Sequence, residues 1–373
     1  MLDFLWIFLI ISCTILTIYI LTKLIYAYKH FYFQPKKLKQ PALEERPSVS
    51  ICIAARNEEH ALDSCLEAVI ASDYPKLEVI VLDDESVDNT SVLIKSFAAS
   101  GIRFVEGGAL PEGWMGRNYA YQRLLEQASG KYVFYISVDT HIAPDTISQL
   151  VAYLSQKHAE MLSILPVRTD NYRLSVLFAP LRFLQEVIFN NKHAPGAITG
   201  AWMINRQLLL HEIGGFTDFK NDILAERHMA QITAKSNDYC LLVGRKTGVS
   251  FEKKWSSQVE AATRTYGLTV CSNIFKFCYA LLILIIINTP LLALLHIIVM
   301  PTSNILIWAT ASFILILMLL YFMYLRLAWS KGTLLGALLW PVIAAQELII
   351  LIASLFKRWR GTLSWKGRTI YKR

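Results

Sequence analysis

The chain has 373 residues, 54% of them hydrophobic, and a formal net charge of +8 at pH 7. That length admits one globular domain of roughly 200 residues plus several membrane spans, and the apolar fraction is high for a soluble protein. Basicity can mean nucleic acid, but no finger, homeodomain or aromatic-basic platform accompanies it, so an anionic membrane surface is the better partner.

The first predicted element covers residues 4–28, where Lys23 is the only charge. A span needs about 20 apolar residues at 1.5 Å each. A cleaved signal peptide would have a shorter apolar region with basic residues ahead of it. Here Asp3 precedes the run and Lys29, Lys36, Lys37 and Lys39 follow it. The segment therefore reads as an uncleaved anchor, with the domain after it in the cytosol.

From residue 47 the composition becomes that of a globular domain. Residues 49–54 (VSICIA) form a β-rich apolar run, and a polar turn follows at 56–59. A helix is predicted over 60–71, since Leu62, Leu66, Val69 and Ile70 share helical spacing. Strand 77–82 (LEVIVL) ends in the polar cluster DDESVDNT, then come a helix at 91–99 and a strand at 102–105. A helix at 118–128 and a strand at 132–137 complete the series, and that strand ends at Asp139. Alternating strands and helices predict an α/β, doubly wound, mostly parallel sheet. Such sheets bind ligands outside the carboxyl ends of their strands. Three polar clusters fall at those ends: 56–59, 83–88, and Asp139 with His141. No GxGxxG or Walker pattern occurs, so dehydrogenase and P-loop readings lose their support.

Asp83 and Asp84 are adjacent carboxylates that repel, so packing alone is a poor reason for them at a strand end. They suit recognition of a base or sugar, or else a loop that caps the next helix through Asp88 or Asn89. Asp139 suits a hard divalent cation, Mg²⁺ or Mn²⁺, shared with phosphates. His141 reads as a loop residue or a second ligand. Trp202 reads either as an aromatic platform or as a buried hydrophobe. The six cysteines form no CxxC pair and read as reduced structural thiols.

The chain turns apolar again at residues 277–300, 305–325 and 334–356, with Pro290 and Pro341 interrupting the first and third. Three crossings would leave the C-terminus outside. Yet the tail carries Lys357, Arg358, Arg360, Lys366, Arg368, Lys372 and Arg373 with no acid, and the positive-inside rule puts it in the cytosol. Pro341, Gln346 and Glu347 make the last segment the one expected to be re-entrant or interfacial. Trp255, Arg264 and Tyr266 are expected at an interfacial helix just before this region.

VSICIAARNEE, VIVLDDESVDNT, SVDTHIAPD, the segment 199–216 ending in GGF, and DILAERHMA occur in the order and spacing of glycosyltransferase family 2. The chain resembles that inverting family over residues 49–226. Within it, PEGWMGRN and the ending WKGRTIY resemble the membrane-bound branch acting on carotenoid- or hopanoid-type lipids. The resemblance implies a GT-A fold with α-helical transmembrane segments. It divides the chain into an anchor (1–30), a basic linker (31–46), a cytosolic catalytic domain (47–266), a membrane region of two to three spans or a re-entrant segment (267–356) and a basic tail (357–373). It implies a nucleotide-sugar donor, leaning to UDP, bound by Ala54, Arg56, Glu58, Asp83, Asp84, Arg117 and Asp139. Asp139 would hold Mg²⁺ or Mn²⁺, Glu226 would be the base, and Gly200 and Trp202 would line the acceptor side. The acceptor would be a membrane lipid.

Three departures stand out. Ser137 replaces the first acid of the DxD motif, Ala225–Glu226 replaces an acid pair, and Arg117 replaces the lysine of GWxGK. The QxxRW signature of processive synthases is absent. A transferase for polyprenyl phosphate or an oligosaccharide, and a degenerate membrane scaffold, are the alternatives.

Overall fold

The computed structural model describes residues 2–32, 41–169, 183–188, 190, 193, 195–328, 333–365 and 368–370. Lys36, Lys37, Lys39, Lys366, Tyr371, Lys372 and Arg373, named above, lie outside the described residues. The chain forms two compact units, one from Met1–His30, Thr169–Ile188 and Lys253–Arg373, the other from Phe31–Arg168 and Phe189–Glu252.

Helix α1 (Leu2–Tyr32) comes first. It is followed by β1 (Val49–Ala55), α2 (Leu62–Ile70), β2 (Leu77–Asp83), α3 (Thr90–Ser96), β3 (Ile102–Glu106), α4 (Gly116–Gln127) and β4 (Tyr132–Ile136). Next are β5 (Thr140–Ile142), α5 (Thr146–Lys157), β6 (Met161–Leu165), β7 (Val167–Arg168), α6 (Leu184–Ile188), β8 (Ala201–Asn205) and α7 (Ala225–Ala234). Then come β9 (Tyr239–Val243), α8 (Gly244–Thr247), β10 (Val249–Phe251), α9 (Trp255–Thr269), α10 (Ile274–Val299), α11 (Asn304–Ala328), α12 (Thr333–Leu338) and α13 (Trp340–Trp359). A hairpin of β11 (Ser364–Trp365) and β12 (Arg368–Thr369) follows.

The α/β unit is built on a seven-stranded sheet in the order β3-β2-β1-β4-β8-β6-β9. β8 runs antiparallel to both neighbours, and the other pairings are parallel. The expected mostly parallel sheet is thus present. Alternation along the strands sends side chains to two cores. Val49, Ile51 and Ile53 of β1 pack with Leu62, Leu66 and Val69 of α2 and Leu150 of α5. Cys52 of β1 faces the other way, toward Tyr121 and Leu124 of α4 and Met229 of α7. Helices on both faces leave the central strands largely apolar, which is why they read as continuous runs rather than alternating ones. Each fully buried Leu, Ile or Val in these layers contributes about 1.5–3 kcal/mol. A separate three-stranded sheet, β5-β10-β7, forms where the chain leaves β4.

The helical unit contains α1, α10, α11 and α13, each long and apolar enough to cross a membrane. Asp3 at the start of α1 accepts a hydrogen bond from Ser303 N (3.0 Å) in the α10–α11 turn, and Trp6 stacks on His296 at 5.8 Å. Pro290 lies inside an unbroken α10. The last apolar segment is interrupted where Pro341 was expected to interrupt it: α12 ends at Leu338, and Pro341 sits in the first turn of α13, where its missing N–H would have had no helical partner. Asn288 of α10 donates to Ala344 O (3.3 Å), so the start of α13 lies beside the middle of α10. Gln346 accepts from Trp255 Nε1 (2.9 Å), Glu347 accepts from Tyr266 OH (2.7 Å), and Arg358 donates to Gly267 O (3.1 Å). Helix α9 is therefore fastened to α13 by a polar ladder. Glu347, only 1% exposed, is satisfied by it.

Candidate active site

The loops after β1 and β2 close on each other. Asn57 N donates to Ser86 Oγ (2.9 Å), and Val87 N donates back to Asn57 Oδ1 (2.9 Å). Glu58 N donates to Thr90 Oγ1 (2.8 Å), while Glu59 accepts from Asn89 N and Nδ2, both at 3.0 Å. Arg56 donates to the carbonyls of Asp84 and Glu85. The polar residues that looked like two separate clusters thus make one rigid rim. Asn57 and Glu85 adopt left-handed φ angles of 52° and 54° to make it, a conformation that non-glycine residues adopt mainly where function or tertiary contacts demand it.

Asp83 and Asp84 are both buried beneath this rim. Asp83 Oδ1 accepts from Ser86 N (3.2 Å), and Asp84 N donates to Ala55 O (2.8 Å). The capping work falls to Asp88, which accepts from Thr90 N at 3.0 Å. Capping and the acid pair are therefore different residues. Ala54 lies in β1 opposite Leu82 and faces the same layer as Tyr121. Gly107 N donates to Asp83 O (2.8 Å), and a Cβ at Gly107 would sit 2.4 Å from that oxygen. Only glycine lets the chain leave β3 so close to the acid pair.

Asp139 follows β4 on the same edge. Its carbonyl accepts from Glu252 N (2.9 Å), which ties the turn to the end of β10. Ser137, standing where the family motif has an acid, is structural in its contacts. Its hydroxyl meets Thr140 Oγ1 at 2.9 Å, and its N–H donates to Gly200 O at 3.0 Å. Thr140 Oγ1 also donates to Gly200 O (2.9 Å), so Gly200 is fastened to the β4 turn. His141 is a residue of β5, paired with Ser250. Below the turn, burial first, and then the charges of Asp139 and Glu58, push the Cys65 thiol up to about 12. Cys65 is thereby an inert core thiol that senses two site carboxylates.

Trp202 corrects the platform reading. It is 0% exposed, stacked on Tyr135 at 4.5 Å and enclosed by Tyr121 and Phe216. Its place in β8, between β4 and β6, turns the indole into the core, so no ring can lie on it.

The third wall comes from the first turns of α4 and α7. Asn118 is fully buried, and its amide donates to Phe219 O and Asp222 O, both at 2.7 Å. Asp222 in turn accepts from Leu224 N (2.9 Å) and pairs with His228, fixing the turn that starts α7. Arg117, next to Asn118, donates to Ile223 O (3.0 Å) and to Glu226 Oε2 (3.1 Å). Glu226 is 1% exposed, and its Oε1 is buried with no hydrogen-bond partner among the described residues. A native carboxylate oxygen in that state calls for an explanation. Asn118, Asp222 and the Arg117–Glu226 pair were not legible as a unit in the sequence. Its one signal is a polar Arg-Asn pair at the start of an otherwise core-facing helix.

Residues 50–211 match the model for glycosyl transferase family 2. This segment is a glycosyltransferase family 2 domain. The 4,4′-diaponeurosporenoate glycosyltransferase of Staphylococcus aureus is 27% identical over 165 residues, 41% of this chain and 43% of that protein. The beta-monoglucosyldiacylglycerol synthase of Synechocystis sp. is 27% identical over 113 residues, 29% of this chain and 23% of that protein. The chain thus spans less than half the length of these curated relatives. A solved mannosyltransferase from Pyrobaculum calidifontis, in complex with GDP-Man and Mn²⁺, shares the fold. Its TM-score is 0.55 at 19% identity, covering 95% of this chain and 99% of that one. The family 2 domain therefore has the GT-A fold.

Among the described residues, no group of three or more His, Cys, Asp and Glu side chains could hold a metal ion. After β4, where the family motif has two acids, the donor set offers one carboxylate, Asp139, since Ser137 replaces the other. That fits a Mg²⁺ or Mn²⁺ ion shared with a ligand's phosphates, and does not fit a cage made by protein alone.

Proposed function

We propose that this chain is an inverting glycosyltransferase that moves a sugar from a nucleoside-diphosphate donor, UDP-linked by preference, to a hydroxyl of a membrane lipid. The observation that carries this is Glu226: a buried carboxylate with one oxygen held by Arg117 and the other unpartnered among the described residues. A base for an incoming hydroxyl needs an anchored oxygen and an unused one.

In this reading the rim of Arg56, Glu58, Asp83 and Asp84 accepts the nucleoside, and a carboxylate there takes the imide N–H of a pyrimidine. Asp139 would hold Mg²⁺ or Mn²⁺ together with the donor's phosphates, and such an ion supplies Lewis-acid stabilisation of the leaving diphosphate. Glu226 Oε1 takes the proton of the acceptor hydroxyl. The freed oxygen attacks the anomeric carbon from the face opposite the diphosphate. The bond from that carbon to the phosphate oxygen breaks, and its electron pair leaves on the diphosphate. One displacement inverts the anomeric centre.

The lipid acceptor is supported by four helices long and apolar enough to cross a membrane, and by relatives whose names specify diaponeurosporenoate and monoglucosyldiacylglycerol. A sugar nucleotide is water-soluble, whereas such acceptors stay in the bilayer, so an anchored enzyme meets both.

Positioned general bases contribute about 10²–10⁴-fold to turnover. Glu226→Gln is therefore expected to lower release of UDP from UDP-glucose by such a factor in the purified full chain while UDP still binds. Parent-like turnover in this variant would remove Glu226 from the mechanism.

A further inference from the structure

We infer that Arg117 is a positioning residue for Glu226, holding the carboxylate in place for proton transfer, and is not a ligand of the donor's phosphates. This rests on the reading of Glu226 as the base. The resemblance assigns Arg117 to phosphate because it stands where related chains carry lysine. Its contacts point elsewhere.

The guanidinium is held from several sides. Nε lies 3.4 Å from Asn118 Oδ1, Nη2 is shared between Ile223 O (3.0 Å) and Glu226 Oε2 (3.1 Å), and the Tyr121 ring centroid is 6.0 Å away. The Arg117 side chain is 22% exposed and that of Glu226 only 2%. With Nε on Asn118 Oδ1 and Nη2 bridging the Ile223 carbonyl and the Glu226 carboxylate, the planar guanidinium fixes the carboxylate's position relative to the turn that starts α7. A lone ammonium would do so less well. The same turn is held by Asn118 through Phe219 O and Asp222 O. Two successive residues of α4 thus build the seat of Glu226, one through its backbone surroundings and one through its charge.

The other groups around Glu226 do not replace Arg117. Tyr121 of α4 is fully buried, and burial first pushes its hydroxyl up to about 12, with Arg117 opposing and Glu226 adding to the rise. It stays neutral. Tyr239 of β9 also senses Glu226, and burial raises its hydroxyl too. His228 is engaged with Asp222. Left buried without its cation, the carboxylate would swing toward water. That displacement spoils a base without touching the donor.

The experiment uses the full-length protein in detergent with Mn²⁺, UDP as the binding probe and UDP-glucose as the turnover probe, or GDP and GDP-mannose if the parent binds GDP instead. Arg117→Gln is expected to lower turnover about 10²-fold, the scale of a misplaced catalytic group, while calorimetric affinity for the nucleotide stays at the parent's value. Arg117→Lys is expected to recover part of the turnover. In a Glu226→Gln background Arg117→Gln is expected to add no further loss, since groups that act as a unit are not additive. Retained nucleotide binding also reports that each variant is folded. Weakened nucleotide binding with turnover intact at saturating donor would make Arg117 a phosphate ligand and overturn the inference. So would independent, additive losses. If Glu226→Gln itself turns over like the parent, both this inference and the proposed mechanism fall. If only the Arg117 results depart, the mechanism stands without this inference.

Discussion

Glu78 shows how one side chain sets the register of the sheet that carries the site. It faces Ser50 across β1 and β2, and its Oε2 accepts from Ser50 Oγ (2.5 Å), Ser129 N (3.0 Å) and Ser129 Oγ (3.1 Å). Ser50 is itself fully buried and accepts from Gly130 N (2.8 Å), so the entry to β4 is tied to β1 as well. Burial raises the Glu78 carboxyl, but these hydrogen bonds and Arg103 outweigh it and hold the group below its ordinary value of 4.5. A depressed carboxyl contributes stability that is present above the unfolded value and lost as pH falls through the folded one. Glu78→Gln should therefore lower the thermal midpoint at pH 7, by the equivalent of about 1 kcal/mol given partial exposure. The difference from the parent should shrink as the pH drops below about 4.5, the model-peptide range for glutamate. A difference that grows on acidification would contradict the assignment.

At the scale of elements, the placement of the last apolar helix bears on the conflict between span count and tail charge. Helix α13 begins beside Asn288, near the midpoint of α10, and ends with Arg358 on Gly267, in the helix just before α10 starts. It thus starts beside the middle of α10 and runs back toward the end at which α10 begins. A helix of 20 residues is long enough to cross, yet these contacts suit a re-entrant hairpin with the short α12. The expected outcome is that a reporter fused after Arg373 is found on the side where α1 ends and α10 begins. A reporter on the opposite side would show that α13 crosses. Much at this scale was legible in the sequence. The strand expected at residues 49–54 runs Val49–Ala55, and that expected at 77–82 runs Leu77–Asp83, because buried parallel strands write continuous apolar runs bounded by polar turns. Pro341 marked the break between α12 and α13, because a proline is tolerated in a helix's first turn. The pairing of Arg117 with Glu226 joins positions 109 residues apart, and no local pattern carries such a contact. Trp202 was undecidable for the same reason: an aromatic in a strand faces core or ligand according to its neighbours across the sheet.

The whole molecule has a GT-A domain and a unit of long apolar helices, and the fold likeness to the Pyrobaculum calidifontis mannosyltransferase extends over 95% of this chain. The central claim is that the acidic strand ends of the domain form a working donor site although Ser137 has replaced one acid and serves the turn instead. The most direct test is calorimetric binding of UDP, with and without Mn²⁺, to the detergent-purified full chain and to Asp139→Ala. The account predicts binding to the parent that requires Mn²⁺ and is lost in Asp139→Ala. Binding indifferent to both the metal and Asp139, or no binding of UDP or GDP at all, would contradict it.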